Sequence, residues 1–515
     1  MIHKIVVILF CISLTGGCAA KLPKGFVRTP SQAYPDTRET DLGRTIEPKT
    51  LSHPGKSGFY LLGNGLDAFV ARIILANAAQ RSLDVQYYLY HDDLVGNLFT
   101  DQLIKAADRG VRVRLLVDDM DLEGRDFGAA ALDSHPNIEV RIFNPFSREV
   151  SRFSQLITRF GSVTRRMHNK SFTADNQITI LGGRNIGNEY FDANPNLAFA
   201  DLDVMGIGPV VKQVSTAFDQ YWNNDLSYPA GVLAGKPVTR EEYDLGRNEL
   251  EAFVREQSDS AYLSALKNSS LAKELRQRKL TYAWGQAKVV YDLPEKITAD
   301  FDRTEFHLAP HLETDWETVE KELILFSPYF VPGETGTAYL TRLVKKGVQV
   351  KILTNSLASN DVSIVHSGYA RYRKKLLKGG VQLYEMSKKA GKEAKTKLSG
   401  SSQASLHAKS FVFDRKNIFI GSLNLDPRSV VHNTEIGILF AAPEIGRYMG
   451  DVFDKIAKEN AFRLELVKHK NGTEKILWHG KVDGKATSFD VDPQTSFWKR
   501  LGVGIMGLLP IESQL

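Results

Sequence analysis

The chain has 515 residues, 43% hydrophobic and 24% charged, with 66 Lys and Arg against 60 Asp and Glu. That length suggests about three domain-sized units, and the apolar share is ample for a packed core. The net charge of +6 suits a phosphate-bearing substrate or an anionic surface but does not mark a nucleic-acid binder. The only two cysteines, Cys11 and Cys18, exclude a disulfide or a cysteine metal site in the body.

Lys4 precedes an apolar run from Ile5 to Leu14, then Thr15-Gly16-Gly17-Cys18. A run of about ten residues is too short to span a bilayer as a helix but suits a signal-peptide core. Small residues before a cysteine resemble a lipoprotein signal over residues 1–18, with Cys18 as the lipidated residue; an uncleaved anchor is the alternative. Ala19 is not the acidic residue that, by the same resemblance, favours inner-membrane retention. The expected place is the bacterial envelope, lipid-anchored on a periplasm-facing outer membrane, with the inner membrane as the second choice. Residues 19–57 are polar, carry Pro23, Pro30, Pro35, Pro48 and Pro54, and read as an extended tether.

Residues 58–229 read as a first domain. Leu66, Phe69, Val70, Ile73 and Ile74 predict a helix, Leu83 to Tyr90 a buried strand, Leu98 to Ala107 a helix ending at Gly110, and Val111 to Val117 a strand. Strand, helix, strand implies a parallel sheet. Next comes Met167-His168-Asn169-Lys170-Ser171-Phe172-Thr173-Ala174-Asp175, then Gly182-Gly183-Arg184-Asn185. Asp201, with Asp203 as an alternative, lies just before Pro209 and a helical pattern through Val211, Val214, Phe218 and Trp222. From 230 to 283 the chain turns polar and helical, a connecting insertion without evident chemistry.

Residues 284–515 repeat the plan: a strand at Leu323 to Tyr329, a helix at Tyr339 to Val344 ending at Gly347, and a strand at Val348 to Leu353. The motif returns as Leu406-His407-Ala408-Lys409-Ser410-Phe411-Val412-Phe413-Asp414, then Gly421-Ser422-Leu423-Asn424. The interval is 239 residues from His168 to His407 and again from Asn185 to Asn424, and 237 from Gly110 to Gly347. The duplication therefore spans a domain. Glu435, before Pro443 and its helix, matches Asp201. Lys388, Lys389, Lys392, Lys395 and Lys397 crowd a Gly/Ser-rich stretch before His407, as a solvated loop or a basic lid. Phe497, Trp498, Leu501, Ile505 and Leu508 surround Lys499 and Arg500 in a segment suited to a membrane interface or to packing on the body.

His168 and Lys170, like His407 and Lys409, are two apart, so on strands they share a face. Each copy reads as a strand-turn-strand hairpin. Two such sets imply pseudo-twofold symmetry with two imidazoles flanking one phosphate. One attacks phosphorus; the other protonates the leaving alkoxide and then activates the acceptor. Lys170, Lys409, Asn185 and Asn424 would hold phosphoryl oxygens, and the small residues Gly183 and Ser422 would let the backbone approach them. Asp201 and Glu435 are the candidates for fixing the imidazole tautomers. The positive charge comes from side chains, so neither metal nor cofactor is required.

The doubled His-x-Lys-(x4)-Asp with its downstream Gly-x-x-Asn resembles the phospholipase D superfamily, and within it the bacterial cardiolipin synthases. Leu83 to Tyr88, Arg109 to Leu116, Arg165 to Lys170 and Leu508 to Glu512 carry the narrower likeness. The resemblance implies an α/β fold: two fused phospholipase D-like α/β domains related by pseudo-twofold symmetry, with the helical insertion between them. It implies a catalytic set of His168, Lys170, Asp175, His407, Lys409 and Asp414, in which the two aspartates orient neighbours, and it favours His168 as nucleophile. It further implies phosphatidyl transfer through a phosphohistidine. The substrates would be glycerophospholipids such as phosphatidylglycerol or phosphatidylethanolamine at a membrane surface, with no nucleic acid. A hydrolytic phospholipase D and a phosphodiesterase or nuclease are the alternatives.

Overall fold

Alternating apolar strands and amphipathic helices in each half build one sheet apiece. The computed structural model describes residues 21–508, apart from 160, 195–197, 278–279, 361, 389–403, 469 and 483. Cys11, Cys18 and the lysines from Lys389 to Lys397 lie outside the described residues.

In the first half, β1 (Ser57–Leu62), β2 (Ser82–Tyr87), β3 (Arg112–Asp118), β4 (Ile138–Phe143), β5 (Ser171–Ala174), β6 (Ile178–Gly182) and β8 (Asp203–Ile207) form the body of a nine-stranded sheet. The order across its centre is β1-β8-β6-β5-β2-β3-β4, with β2, β3 and β4 parallel. The second half repeats this order as β11-β18-β17-β16-β12-β13-β14. These are Ala287–Tyr291, Ile436–Ala441, Asn417–Gly421, Ser410–Phe413, Glu322–Phe326, Gln349–Asn355 and Gln382–Met386. The helices Pro209–Trp222 and Pro443–Glu459 both begin on the proline that the sequence offered as a helix start. A shared apolar core joins the halves, with Phe59 stacked on Phe440 at 4.1 Å between ring centres.

The hairpins turn as expected. Asp175 and Asn176 have φ of 50° and 49°, and Asp414 and Arg415 have 51° and 53°. Asp and Asn tolerate this left-handed backbone, which turns a three-residue loop between Ala174 and Ile178 and between Phe413 and Asn417. The Asp175 carboxylate accepts from the N–H groups of Gln80, Arg81 and Ser82. Asp414 does the same for Glu320, Lys321 and Glu322. The two aspartates of the catalytic set thus sit at the turn, a four-residue strand away from the histidines, and pin the entry of β2 and β12.

Four expectations change. The His-x-Lys residues precede β5 and β16 instead of lying within them. The stretch expected as an extended tether is instead strapped to the first domain. Thr40 caps a helix over Asp41–Leu51 that buries Leu42 and Ile46, and Arg114 and Arg141 bind the backbone of Ser31 and Thr29. Buried arginines need carbonyl partners, and this strap supplies them. The crossing between halves falls at Gln286, because β10 (Ala283–Gly285) pairs with β1 of the first sheet. Finally, β19 (Ala461–Lys468), β20 (Glu474–Val482) and β21 (Lys485–Phe489) extend the second sheet by antiparallel pairing. One face of this extension, Phe462, Leu464, Ile476 and Trp478, packs into the second core while the other is polar. The insertion at 230–283 is helical, with its longest helix at Arg240–Glu256.

Candidate active site

Each His-x-Lys segment is stitched to the acid-bearing segment of the other half. Met167 bridges Thr434, and His168 N–H donates to Thr434 O at 2.9 Å. Symmetrically, β15 (Ala404–Leu406) runs parallel to β7 (Ala198–Ala200), and His407 N–H donates to Ala200 O at 2.9 Å. This crossing delivers each acid to the opposite histidine. His168 Nδ1 lies 2.9 Å from Glu435, and His407 Nδ1 lies 2.6 Å from Asp201. Sequence alone placed one acid in each half but did not reveal the exchange.

Asp203, the alternative to Asp201, is committed elsewhere: Arg72 Nη2 donates to it at 2.9 Å. Two expected phosphate contacts are also reassigned. Ser422 Oγ donates to the Glu435 carboxylate and accepts from Ile436 N–H. Gly183 makes room for Asp201, since a Cβ there would stand 2.2 Å from Asp201 Oδ1. The second motif thus has a longer acid held by a serine, where the first has a shorter acid against a glycine. Asn185 is braced, its oxygen accepting from Leu89 N–H and its amide donating to Tyr190 Oη. Asn424 is buried with its side-chain oxygen unpaired. Arg184, which stands where the second motif has Leu423, holds the carbonyls of Leu62, Gly63 and Asp201.

The two histidines are 7% exposed, and both lysines are buried. Lys170 Nζ donates to His168 O, and Lys409 Nζ to His407 O, each at 2.6 Å. Burial, then the charges of Lys170, Lys409 and His407, hold the His168 ring well below its ordinary value. The two halves therefore share one field. Burial likewise drives Lys170 down, and Lys409 adds to it. His407 is lowered too, by burial and Lys409, with Asp201 opposing. Burial lifts Glu435 to about 7. Asp201 is pushed up by burial, but His407 and Lys409 outweigh this and bring it to about 2. The two His-acid pairs are thus electrostatically unequal.

Several side chains that the motif did not single out complete the site. The Tyr88 ring stands edge-on to His168 at 5.0 Å, and Tyr190 and Phe199 flank His407 at 5.3 and 5.0 Å. Asp118 accepts from Met167 N–H at 2.9 Å and from Arg166 Nε at 2.8 Å. Its counterpart Asn355 accepts from Leu406 N–H and donates to Leu406 O, both at 2.9 Å. Asp118 and Asn355 end β3 and β13, so the same step of each parallel sheet fixes the residue before each histidine. The 237-residue interval between them was the available signal.

A family model for the cardiolipin synthase, phospholipase D-like domain matches residues 73–222 and 317–457, which between them hold both motifs. The chain is 41% identical over 477 residues to cardiolipin synthase C of Escherichia coli (strain K12), covering 92% of this chain and 99% of that one. It is 24% identical over 451 residues to a cardiolipin synthase of Oceanobacillus iheyensis, covering 84% and 75%. In fold it is similar to phosphatidylserine synthase of Haemophilus influenzae Rd KW20, with a TM-score of 0.53 at 15% identity over 79% of this chain and 87% of that one. With two matched segments, a doubled motif and a full-length relative, the chain belongs to the phospholipase D-like cardiolipin synthase family and is a phosphatidyltransferase of that type.

Proposed function

We propose that this chain makes cardiolipin at a membrane surface, moving a phosphatidyl group from one glycerophospholipid to the glycerol hydroxyl of another. The observation that carries the reading is the crossed pair of histidines, each tied by Nδ1 to a buried carboxylate of the other half. A carboxylate on Nδ1 turns Nε2 toward the substrate, and Lys409 Nζ stands 3.1 Å from that atom of His407. His168, held neutral, attacks phosphorus through Nε2; an N–P bond forms and the P–O bond to the leaving glycerol breaks. Asp201 and the bound phosphate oppose the burial that lowers His407, and as imidazolium it gives that alkoxide its proton. Neutral His407 then takes the proton of the acceptor hydroxyl, whose oxygen attacks phosphorus, and the N–P bond breaks. Lys170 and Lys409 stabilise the phosphoryl charge in a site from which burial removes most water. Asn424, with an unpaired oxygen and a free amide, is better placed to assist than the braced Asn185.

Purified protein incubated with phosphatidylglycerol, with and without phosphatidylethanolamine, is expected to yield cardiolipin. Phosphatidic acid as the sole product would assign hydrolysis instead, and no lipid product would refute the reading.

The membrane side of the proposal rests on the helix Phe497–Met506. Among the described residues no helix is long and apolar enough to cross a membrane. This one presents Phe497, Trp498, Leu501 and Ile505 to solvent beside Lys499 and Arg500, with Trp498 76% exposed. Apolar and aromatic side chains next to cations suit an anionic interface. With Cys18 lipidated as well, two attachments act together. Cys18→Ser alone is expected to weaken co-sedimentation with phosphatidylglycerol vesicles, and Cys18→Ser with Trp498→Glu to abolish it. Retention of the double variant would rule out both attachments.

A further inference from the structure

A cavity of about 520 Å³ opens beside the site, between β3, the helices Leu94–Asp108 and Asp126–Asp133, and the insertion helix Arg240–Glu256. Its walls are Ile104, Leu115, Val117, Leu122 and Leu132, with Leu250 from the insertion helix above them. Three polar residues on its lining are already matched. Arg125 pairs with Asp121 at 2.7 Å and donates to Tyr90 O, and both ring nitrogens of His91 meet carboxylates, of Asp121 and Glu189. Tyr90 Oη pairs with Thr100 Oγ1 at 2.8 Å. The buried Tyr243 hydroxyl on the lining has no partner, while the apolar walls suit a hydrocarbon ligand.

Gly128 and Gly246 also line the cavity. Both are solvent-exposed with nothing within 4 Å of where a Cβ would stand, so larger side chains there meet no obstacle and would narrow its opening. The cavity also adjoins the chemistry. Tyr88 touches the His168 ring, and Tyr90, two residues on, lines the cavity, so their Cα atoms are at most about 7 Å apart. The roof comes from residues outside both segments matched by the family model, so it is an addition to the shared catalytic body.

We propose that this cavity receives one acyl chain of the phospholipid whose phosphate sits between the histidines, and that the insertion helix is its lid wall. This rests on the lipid-transfer reading given above. The chain would leave the glycerol backbone near Tyr88, pass over the 88–91 segment and enter beside Tyr90. Burying methylenes there offsets the cost of drawing a lipid from the bilayer, because the chain is kept out of water.

The test uses the full-length protein and its Gly128→Leu and Gly246→Leu variants, with dioleoyl- and dihexanoyl-phosphatidylglycerol as donors. The expected result is a roughly tenfold fall in the long-chain to short-chain ratio of kcat/KM, the size of effect that filling an apolar pocket gives. An unchanged ratio in a variant with a normal thermal midpoint would overturn the proposal. Direct binding gives a second readout that needs no turnover. The fluorescent fatty acid cis-parinaric acid should bind the wild-type protein saturably, lose affinity in either variant, and be displaced by dioleoyl- but not dihexanoyl-phosphatidylglycerol. Displacement by free oleate and not by the long-chain lipid would reassign the cavity to free fatty acids and overturn the proposal. If the wild type transfers from neither donor, the functional reading fails, while probe binding still decides what the cavity holds.

Discussion

Replacing His168 or His407 by alanine is expected to lower phosphatidyl transfer by roughly 10⁴-fold or more, because each ring performs a step that water does not replace. The fold should survive. Glu435, left without His168, already sits near 7 and can take a proton in place of a partner. Asp201, left without His407, keeps its hydrogen bond from Leu202 N–H. Thermal midpoints near the wild-type value are therefore expected for both variants. The two roles separate with a phosphatidyl p-nitrophenyl ester, whose leaving group needs no proton. His407→Ala should release one burst of nitrophenolate as the phosphohistidine forms, and His168→Ala none. The reverse pattern would exchange the assignments, and full lipid transfer by either variant would end the two-histidine mechanism.

Glu435→Gln and Asp201→Asn are each expected to cost roughly 10²- to 10⁴-fold in kcat by losing the carboxylate that fixes the imidazole tautomer. Their pH profiles should differ. Burial raises Glu435 to about 7, so it carries charge above that pH and loses it as pH falls through 7. His168, held well below its ordinary value, is neutral throughout this range. The wild-type kcat/KM should therefore fall on the acid side near pH 7, as one apparent titration of the Glu435–His168 pair. Asp201, at about 2, does not titrate there. The acid limb should persist in Asp201→Asn and vanish in Glu435→Gln. A limb retained at the same pH in Glu435→Gln would assign it to another group.

Much of the fold was legible because its signals are local. Gly110 and Gly347 end helices with φ of 91° and 94°, and the Asp175-Asn176 and Asp414-Arg415 turns sit where their residue types allow positive φ. The buried parallel strands read as apolar runs. The strap over residues 21–57 was missed because its partners are distant arginines: Arg112, Arg114 and Arg141 bind backbone carbonyls that no local pattern announces. The edge strands β19, β20 and β21 were missed although Phe462 and Leu464 alternate with Arg463 and Glu465, because nothing local says which sheet a strand after the last helix joins. In the site, Ser422 and Gly183 were read as phosphate contacts on size alone. Only the packing of the acids against them gave their use.

The amino-acid sequence by itself determined the duplication, the identity of the two histidines and lysines, and the presence of one acid in each half. It did so because a motif repeated at a constant interval records chemistry independent of distance in space. The tertiary structure decided which acid serves which histidine, because the residues just before each histidine pair with those just before the acid of the other half. It also decided the inequality of the two pairs. Burial acts on both acids, but His407 and Lys409 lie close enough to Asp201 to reverse it, while Glu435 remains high.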